Sequence, residues 1–285
     1  MIPMNIKEGE KLLLEIKKIM DELNIVFFLR HGTCLGAVRD GQLIQWDDDI
    51  DIGSILGMND LDEQTIYKTV DTLKLNGFDA KVSESSFHIA VSLSKSNIPI
   101  DWTCYKVIED SIYQYPAIKI PVEIYKNLTA IPLLGSMFLV PNPAETYLTL
   151  KYGPDWRTPK KNDYQDDIIN SVPESVLADQ FTIFNKIHKF FFPRNYITKI
   201  RILDSDKKPV EQTKVTIAGL NTSITDKDGY AEFDLLSKDW YAIVIENGNK
   251  KEILYEEILQ PGLKYDYLPS KSTSTGRTFI LKEKK

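Results

Sequence analysis

Residues 28–52 read FLRHGTCLGAVRDGQLIQWDDDIDI, and this stretch decides how the N-terminal part of the chain is interpreted. Its end carries four aspartates within five positions, namely Asp47, Asp48, Asp49 and Asp51. The last two alternate with isoleucines, and a period of two is typical of a β-strand. The sequence therefore predicts that Asp49 and Asp51 project from one face of a strand that begins at Asp49.

Carboxylates crowded on one strand face repel one another, and burying them is costly unless a divalent cation neutralises their charge. Their hard oxygen atoms favour Mg²⁺ or Mn²⁺ as the cation. A solvated acidic turn is the alternative, but such a turn does not need the apolar neighbours Trp46 and Ile50. We therefore predict a metal site built from Asp49 and Asp51, with Asp47 as a third ligand.

Upstream of the acidic residues, Gly32 and Thr33 stand at a predicted helix start, with Thr33 as the N-cap. The helix is expected to end at Asp40 and Gly41. Backbone N–H groups at a helix N-terminus favour phosphate, so Gly32 and Thr33 are candidates for a phosphate-binding turn. An ordinary helix cap without a ligand is the alternative interpretation.

Three further side chains are candidates for the same site. Arg39 would contact a phosphate, or would pair with Asp47 or Asp48 as a structural brace. Trp46 would stack on a donor base or headgroup, or would pack as a buried aromatic side chain. Asp101, on a later predicted strand, would complete the metal site or accept a proton from a hydroxyl, and a plain strand-edge carboxylate is its alternative.

The charge and hydrophobicity of the chain argue against two classes of protein, nucleic-acid binders and membrane-spanning proteins. The 285 residues carry a net charge of -6 and a pI near 5.3, which argues against a general nucleic-acid binder. The sequence shows no apolar run typical of a secretory signal, and no stretch of about 20 apolar residues that would form a membrane helix. We therefore expect a cytoplasmic location, with the inner face of a membrane as an alternative.

Hydrophobic periodicity predicts an α+β fold for the larger, N-terminal part of the chain. Helical spacing occurs at residues 7–24 and 61–75, and Pro173 is expected to begin a helix that continues to about Phe191. A mixed sheet with flanking helices is predicted from five apolar segments, at residues 25–29, 49–52, 78–82, 87–93 and 98–105.

The pattern changes near Asn195, because short alternating segments separated by turn signals replace the helical period. Such a pattern predicts a small all-β sandwich. The chain also exceeds the usual size of one domain. We therefore predict an α+β domain at residues 1–194 and a β-sandwich accessory domain at residues 195–285.

Residues 1–165 resemble the LicD family of phosphocholine-type transferases, which are related to fukutin-related protein within the nucleotidyltransferase superfamily. The resemblance rests on Gly-Thr-Cys-Leu-Gly-Ala-Val-Arg at residues 32–39 and Trp-Asp-Asp-Asp-Ile-Asp at residues 46–51. A segment from Val140 to Trp156 also resembles the closing motif of the family. The match at Asp101 is looser, because the usual Ile-Asp-Ile-Phe sequence is represented by Ile-Asp-Trp.

The resemblance implies a nucleotidyltransferase-like fold and a metal-dependent enzyme of cell-surface polysaccharide modification. Such an enzyme moves a phospho-substituent, of the phosphocholine or polyol phosphate type, from a CDP-activated donor to a glycan hydroxyl. The implied catalytic residues are Asp49, Asp51 and Asp101, the implied substrate contacts are Gly32, Thr33, Arg39 and Trp46, and the implied ligands of Mg²⁺ or Mn²⁺ are Asp47, Asp49 and Asp51.

Other functions remain open at this point. The same residues would suit a nucleotidyltransferase that moves a nucleoside monophosphate to a small molecule or protein. A catalytically silent protein that binds a glycan or another partner is an alternative from a different class. A glycosyltransferase that uses a nucleotide sugar is disfavoured by the Gly-Thr helix before the acidic strand.

The C-terminal region resembles carboxypeptidase-regulatory-like or transthyretin-like modules. The resemblance rests on Lys-Val-Thr-Ile at residues 214–217 and Thr-Asp-Lys-Asp-Gly-Tyr-Ala-Glu-Phe at residues 225–233. Such modules imply binding or docking of a protein or glycan partner rather than catalysis.

Overall fold

The structure of the protein is a computed structural model whose described residues are 3–85, 87–160, 169, 172, 188–192, 195–236, 238–269, 277–278 and 280–284. The chain divides into two compact units. Unit 1 comprises Met1–Tyr113 and Lys119–Lys161, and unit 2 comprises Gln114–Ile118 and Asn162–Lys285.

The first helix, α1, spans Ile6–Glu22. It begins at Asn5, whose side chain accepts a hydrogen bond from the backbone N–H of Glu8, as expected of an N-cap. Its apolar residues recur at helical spacing and are buried, which confirms the predicted amphipathic helix.

The second helix begins earlier than the sequence predicts. A two-residue strand, β1 (Phe28–Leu29), leads through Arg30 directly into α2 (His31–Asp40). Arg30 occupies the N-cap position, so the prediction that Thr33 caps the helix is wrong. The helix ends as predicted, because Gly41 adopts a left-handed conformation with φ of 66°.

Unit 1 is built on a five-stranded sheet with the order β1–β2–β5–β4–β3. Its further strands are β2 (Ile50–Ile55), β3 (Asp79–Glu84), β4 (His88–Lys95) and β5 (Ile98–Tyr105). The pair β2 and β5 is parallel, whereas the other neighbours are antiparallel. The predicted mixed sheet is therefore confirmed, and α3 (Glu63–Leu75) lies within the connection between the two parallel strands.

The two faces of this sheet differ in character. Alternate residues of β4 and β5 are fully buried, namely Ile89, Val91, Leu93, Ile100, Trp102 and Cys104. Helices α1 and α3 likewise each carry a stripe of buried apolar residues. On the opposite face, Asp101 and Ala90 are partly exposed and Ser92 is exposed, so the acidic residues lie on the polar side.

The chain that follows β5 forms two hairpins and two helices. The hairpins pair β6 (Ser111–Gln114) with β7 (Ile118–Pro121), and β8 (Thr129–Leu133) with β9 (Ser136–Val140). The helices are α4 (Glu123–Lys126) and α5 (Ala144–Tyr152). Pro143 precedes α5 and Gly153 follows it.

Unit 2 contains two sheets, in the orders β13–β10–β16–β18 and β12–β11–β14–β15–β17. Their strands are β10 (Ile197–Ile202), β11 (Lys214–Ile217), β12 (Asn221–Ile224), β13 (Tyr230–Asp234), β14 (Asp239–Asn247), β15 (Lys250–Leu259), β16 (Lys264–Tyr267), β17 (Arg277–Thr278) and β18 (Lys282–Glu283).

One apolar core joins the two sheets of unit 2. Ile200 and Phe233 come from the first sheet, and Val215, Ile243 and Leu254 come from the second. Two sheets that share one core form a sandwich. The predicted fold class, an α+β sheet with helices followed by a β region, is therefore confirmed.

Two predictions about the C-terminal part of the chain are not tested by the described residues. The helix predicted from Pro173 falls largely outside the described residues, and the boundary between residues 194 and 195 stays a prediction. Among the described residues, no helix has the length and apolar character needed to cross a membrane.

The crowding around Gly53 generates a prediction about stability. A Cβ atom at this position would lie 2.8 Å from the ring of Phe28 and 3.3 Å from Cδ of Arg30. Because both neighbours are buried, Gly53→Ala is expected to lower the free energy of unfolding by about 1–3 kcal/mol. Urea unfolding followed by circular dichroism measures this change.

The control for this substitution is Ser83→Ala, at an exposed position in the same sheet. It is expected to change the free energy of unfolding by less than about 0.5 kcal/mol. Equal stability of the two variants would contradict the close packing over Gly53.

Candidate active site

Arg30 links β1 to α2, and only 4% of its surface is exposed. Its backbone N–H donates to the carbonyl of Asp51 over 3.2 Å. Its side chain then passes close to Gly53, where the absence of a Cβ atom leaves room for the methylene groups. The positively charged side chain of Arg30 is therefore buried at the sheet, next to a glycine whose lack of a side chain makes room for it.

The guanidinium group of Arg30 is bound on several sides. It donates to the carbonyl oxygen of Ile52 over 3.0 Å and to the hydroxyl of Tyr105 over 3.2 Å. Its Nη2 atom lies 2.6 Å from Oδ2 of Asp101 and 3.0 Å from Oδ1 of Asp51. A buried cation with these partners is fully paired, and it fixes the two carboxylates relative to each other.

Asp51 and Asp101 are direct neighbours across the parallel strands β2 and β5. The first turn of α2 holds Asp51 from the other side. The hydroxyl of Thr33 accepts a hydrogen bond from the backbone N–H of Asp51 over 2.8 Å, and the backbone of Gly32 acts to lower the pKa of the Asp51 carboxyl group. Gly32 and Thr33 therefore orient Asp51 in this structure, in addition to forming the start of the helix.

Asp47, Asp48 and Asp49 form a second acidic group in the turn before β2. Each offers an oxygen atom, and these three atoms lie within 4.8 Å of one another. The Asp47 carboxylate lies so close to Gly32 that a Cβ atom there would clash with it. Because β2 begins at Ile50, the prediction that Asp49 lies on the strand is wrong, and Asp49 directly precedes it.

Burial raises the pKa of three of these carboxyl groups. It raises the pKa of Asp47 to about 7, with repulsion from Asp51 and Asp48 adding to the effect. Burial also raises the pKa of Asp49, again reinforced by Asp51, whereas Arg30 opposes the rise in the pKa of Asp51. Charge at this place is unfavourable without a cation, because desolvation and like charges both favour the protonated form.

The donor set therefore fits a divalent cation. Asp47, Asp48 and Asp49 form no ion pair among the described residues, whereas Asp51 is already paired with Arg30. Carboxylate oxygens are the ligands that Mg²⁺ and Mn²⁺ prefer. This observation supports Asp47 and Asp49 as metal-binding residues, with Asp51 at the boundary between the metal site and Arg30.

Helix α5 covers the start of α2. The hydroxyl of Tyr147 accepts a hydrogen bond from the backbone N–H of His31 over 2.9 Å, where His31 has a φ of 43°. Lys151 follows Tyr147 by one turn and is 4% exposed. Burial, and secondarily Arg30, lowers the pKa of Lys151 to about 7, while Asp51 opposes this shift. A second cationic side chain thus acts on the acidic site.

Two of the predicted binding residues have other surroundings. Arg39 donates from Nε and Nη2 to the carboxylate of Asp40, over 2.9 and 2.6 Å, so it does not brace Asp47 or Asp48. Trp46 is partly buried in the turn before the acidic residues. Their roles in binding a donor stay predictions.

Sequence reasoning missed Arg30, Tyr105 and Lys151. A signal for Arg30 was present, because a single charged residue between an apolar strand and Gly-Thr is unusual for a buried segment. Lys151 gave a weaker signal through its helical spacing from Tyr147. Nothing in the local sequence marks Tyr105 as a partner of either residue.

Comparison with known proteins gives two curated relatives, both named ribitol 5-phosphate transferase FKRP, from Mus musculus and Homo sapiens. Each is 24% identical over 144 residues, which cover 48% of this chain and 29% of the relative. The match thus spans less than a third of either relative.

A likeness to a solved structure carries no weight for the fold. The structure is the crystal structure of the Coh3ScaB-XDoc_M2ScaA complex, a type II cohesin-X-dockerin complex from Acetivibrio cellulolyticus. The similarity extends over 29% of this chain and 56% of the chain in that complex. The sequences are 18% identical, and the TM-score is 0.20.

A protein-family comparison matches residues 24–143, the segment that runs from β1 through α2 and the five-stranded sheet to the start of α5. This segment contains Arg30 and every acidic residue of the site. The family is described as LicD/FKTN/FKRP, nucleotidyltransferase domain, and it is a family of transferases. Residues 24–143 are therefore similar to the nucleotidyltransferase domain of the LicD/FKTN/FKRP family.

Proposed function

We propose that the protein is a metal-dependent transferase that moves a phospho-substituent from a CDP-activated donor to a glycan hydroxyl. The observation that carries this proposal is the pairing of Asp51 and Asp101 with Arg30 on the sheet, next to the acidic turn formed by Asp47, Asp48 and Asp49. The similarity to ribitol 5-phosphate transferase FKRP supports a polyol phosphate as the group transferred, with phosphocholine as the alternative.

Asp47, Asp49 and Asp51 would hold Mg²⁺ or Mn²⁺ in this site. When bound, such an ion neutralises the charge of the donor diphosphate and of the departing nucleotide. The three carboxyl groups fit this task because burial makes their anionic forms unfavourable until a cation is present.

The proposed reaction is a displacement at phosphorus. An acceptor hydroxyl oxygen forms a bond to the phosphorus that carries the polyol or choline group, and the bond from that phosphorus to the oxygen of CMP breaks. CMP leaves with the electron pair. The hydroxyl proton passes to Asp101, whose Oδ2 atom is held by Arg30 and whose side chain is 39% exposed.

The other chain groups would bind and orient the donor. Thr33 holds the backbone of Asp51 next to the N-terminus of α2, a place that favours a phosphate group, and Gly32 lies in the same turn. The buried side chain of Lys151 lies near enough to Asp51 to affect its pKa, and in its protonated form it would stabilise negative charge on the donor. Arg39 would reach a phosphate only by giving up its contact with Asp40.

Nucleotidyl transfer is the second candidate, and the match of residues 24–143 to a nucleotidyltransferase domain favours it. In that reaction the acceptor hydroxyl attacks the α-phosphorus of a nucleoside triphosphate, and pyrophosphate leaves. Release of CMP from a CDP-alcohol supports the first proposal, whereas release of pyrophosphate from CTP supports the second.

The first test removes a metal-binding carboxylate. Asp49→Asn is expected to lower the rate of CMP release from CDP-ribitol or CDP-choline by about a thousandfold, because the charge that holds the cation is lost. Chromatographic detection of CMP with Mg²⁺ present measures the rate. Thermal unfolding of the variant without metal shows whether the fold is retained.

Asp60→Asn is the matched control, since Asp60 is exposed and has a φ of 57°, which asparagine also accepts. This control is expected to keep the rate of the unaltered protein. A folded Asp49→Asn protein with full activity would contradict the proposed role of Asp49.

The second test concerns pH. Because the pKa of Asp47 is raised to about 7 in the folded protein, folding favours the protonated form. Without metal, Asp47 therefore destabilises the fold as pH rises from about 4 through about 7. Mg²⁺ is expected to raise the melting temperature at about pH 8 and to have a much smaller effect at about pH 5, where protons compete with it.

Scanning fluorimetry with Mg²⁺ or EDTA at the two pH values measures this effect. Asp47→Asn is the comparison, and its melting temperature without metal is expected to depend less on pH. An equal Mg²⁺ effect at both pH values would contradict a metal site formed by these carboxylates.

A further inference from the structure

Residues 190–192 are three consecutive phenylalanines of unit 2, and their exposed fractions are 81%, 67% and 54%. Residues 188–191 are helical, and the backbone N–H of Phe192 donates to the carbonyl of His188 over 2.8 Å. Consecutive helix positions point about 100° apart, so three exposed side chains in succession mean that this turn projects from unit 2. We call residues 190–192 the phenylalanine turn.

The phenylalanine turn exposes a continuous apolar patch. Its three side chains together leave on the order of 400 Å² open to solvent. The rings of Phe190 and Phe191 lie edge to face, with 5.4 Å between their centroids. A continuous apolar patch of this size is often functional, and it suits binding to a protein or to a membrane.

Contacts at the base of the turn fix its position on unit 2. Nδ1 of His188 lies 2.8 Å from the hydroxyl of Tyr196, and the ring of His188 lies 5.0 Å from that of Phe192. Nζ of Lys189 lies 2.5 Å from Oδ2 of Asp234, a residue of β13. The phenylalanine turn therefore stands beside this strand.

The sheet that contains β13 is basic on its outward side. Alternate residues of its strands enter the core of unit 2, so the residues between them face outward. The charged groups of Arg201, Lys264 and Lys284 lie 5.2, 5.9 and 5.8 Å from the ring centroid of Tyr230. We call this side the basic face, and its cations are Lys199, Arg201, Lys264, Lys282 and Lys284.

Positive charge exceeds negative charge on the basic face. Its five cations stand against three outward carboxylates, those of Glu232, Asp234 and Asp266. Lys199 pairs with Glu232, and Lys189 pairs with Asp234. The other four cations of the face form no ion pair among the described residues, and Asp266 alone stands near them. The chain as a whole carries a net charge of -6, so this excess is a local feature.

The two features together select one class of partner. An apolar patch alone would suit a protein equally well, and a basic face alone would suit a soluble polyanion. A bilayer with anionic lipids is negative at its surface and apolar beneath it, so it attracts lysine and arginine and accepts aromatic rings at the boundary of headgroups and acyl chains.

We propose that unit 2 docks on a membrane that contains anionic lipids. The phenylalanine turn enters the headgroup boundary, and the basic face lies against the headgroups. This role goes beyond the proposed transferase activity and does not depend on it. It gives the C-terminal region a docking function, with a membrane in place of the protein or glycan partner expected from the sequence.

The test is co-sedimentation of the full chain with vesicles at low salt. Vesicles of phosphatidylcholine and phosphatidylglycerol in equal parts are expected to bind the chain, and vesicles of phosphatidylcholine alone are expected to bind it at least tenfold less. Phe190→Ser/Phe191→Ser is expected to weaken binding to the anionic vesicles by about tenfold or more, because two inserted rings are lost.

Tyr67→Ser/Leu75→Ser is the matched control, since it removes two exposed apolar side chains from α3 of unit 1. Its binding is expected to equal that of the unaltered chain, and thermal unfolding shows whether each variant keeps its fold.

A second pair of variants tests the charges. Lys264→Gln/Lys284→Gln is expected to weaken binding to the anionic vesicles by about tenfold. Lys208→Gln/Lys250→Gln removes the same charge from exposed positions outside the basic face, and it is expected to have a smaller effect.

Several results would overturn the inference: equal binding by Phe190→Ser/Phe191→Ser, equal binding to both kinds of vesicle, or no binding to either. Retention on soluble polyphosphate without binding to vesicles would also overturn it, because a polymer would then be the partner. The rate of CMP release from a soluble donor is expected to be the same for Phe190→Ser/Phe191→Ser and the unaltered chain. Absence of CMP release in the unaltered chain would count against the proposed function and leave the vesicle result unaffected.

Discussion

The buried guanidinium group of Arg30 is the interaction on which the rest of unit 1 depends. A cation without solvent is tolerated only when anions and carbonyl oxygens surround it, and here they come from β2 and β5. Satisfying this one charge fixes the approach of both strands and the spacing of Asp51 and Asp101. Chain entry into α2 is fixed by the same residue, because Arg30 is also its N-cap.

Arg30 balances only part of the negative charge, and this imbalance links stability to chemistry. Asp51 and Asp101 share the guanidinium, whereas Asp47 and Asp49 are partly buried and lie close enough to Asp51 for its charge to raise their pKa values. Such an excess of negative charge favours a divalent cation, because a fully neutralised site would gain little from binding one. The fold therefore keeps this negative charge unfavourable until a cation binds.

Local patterns in the sequence predict much of this arrangement. Helical spacing identifies α1 and α3, and alternation identifies the polar and apolar faces of the sheet. Prediction fails at Thr33, since its hydroxyl serves the backbone of Asp51 instead of capping the helix. The contacts of Arg30 with Tyr105 and of His31 with Tyr147 join distant parts of the chain, and no local period records such contacts.

The parallel register of β2 and β5 also constrains how the chain can change in length. Insertions in the turn between β2 and α3 cost little, because the entropy of closing a loop rises slowly with its length. One residue inserted between Ile98 and Asp101 would instead turn Asp101 toward the apolar face and place an isoleucine beside Asp51. We therefore expect insertions to be tolerated in the turns but not within β5, where each inserted residue would shift Asp101 away from Asp51.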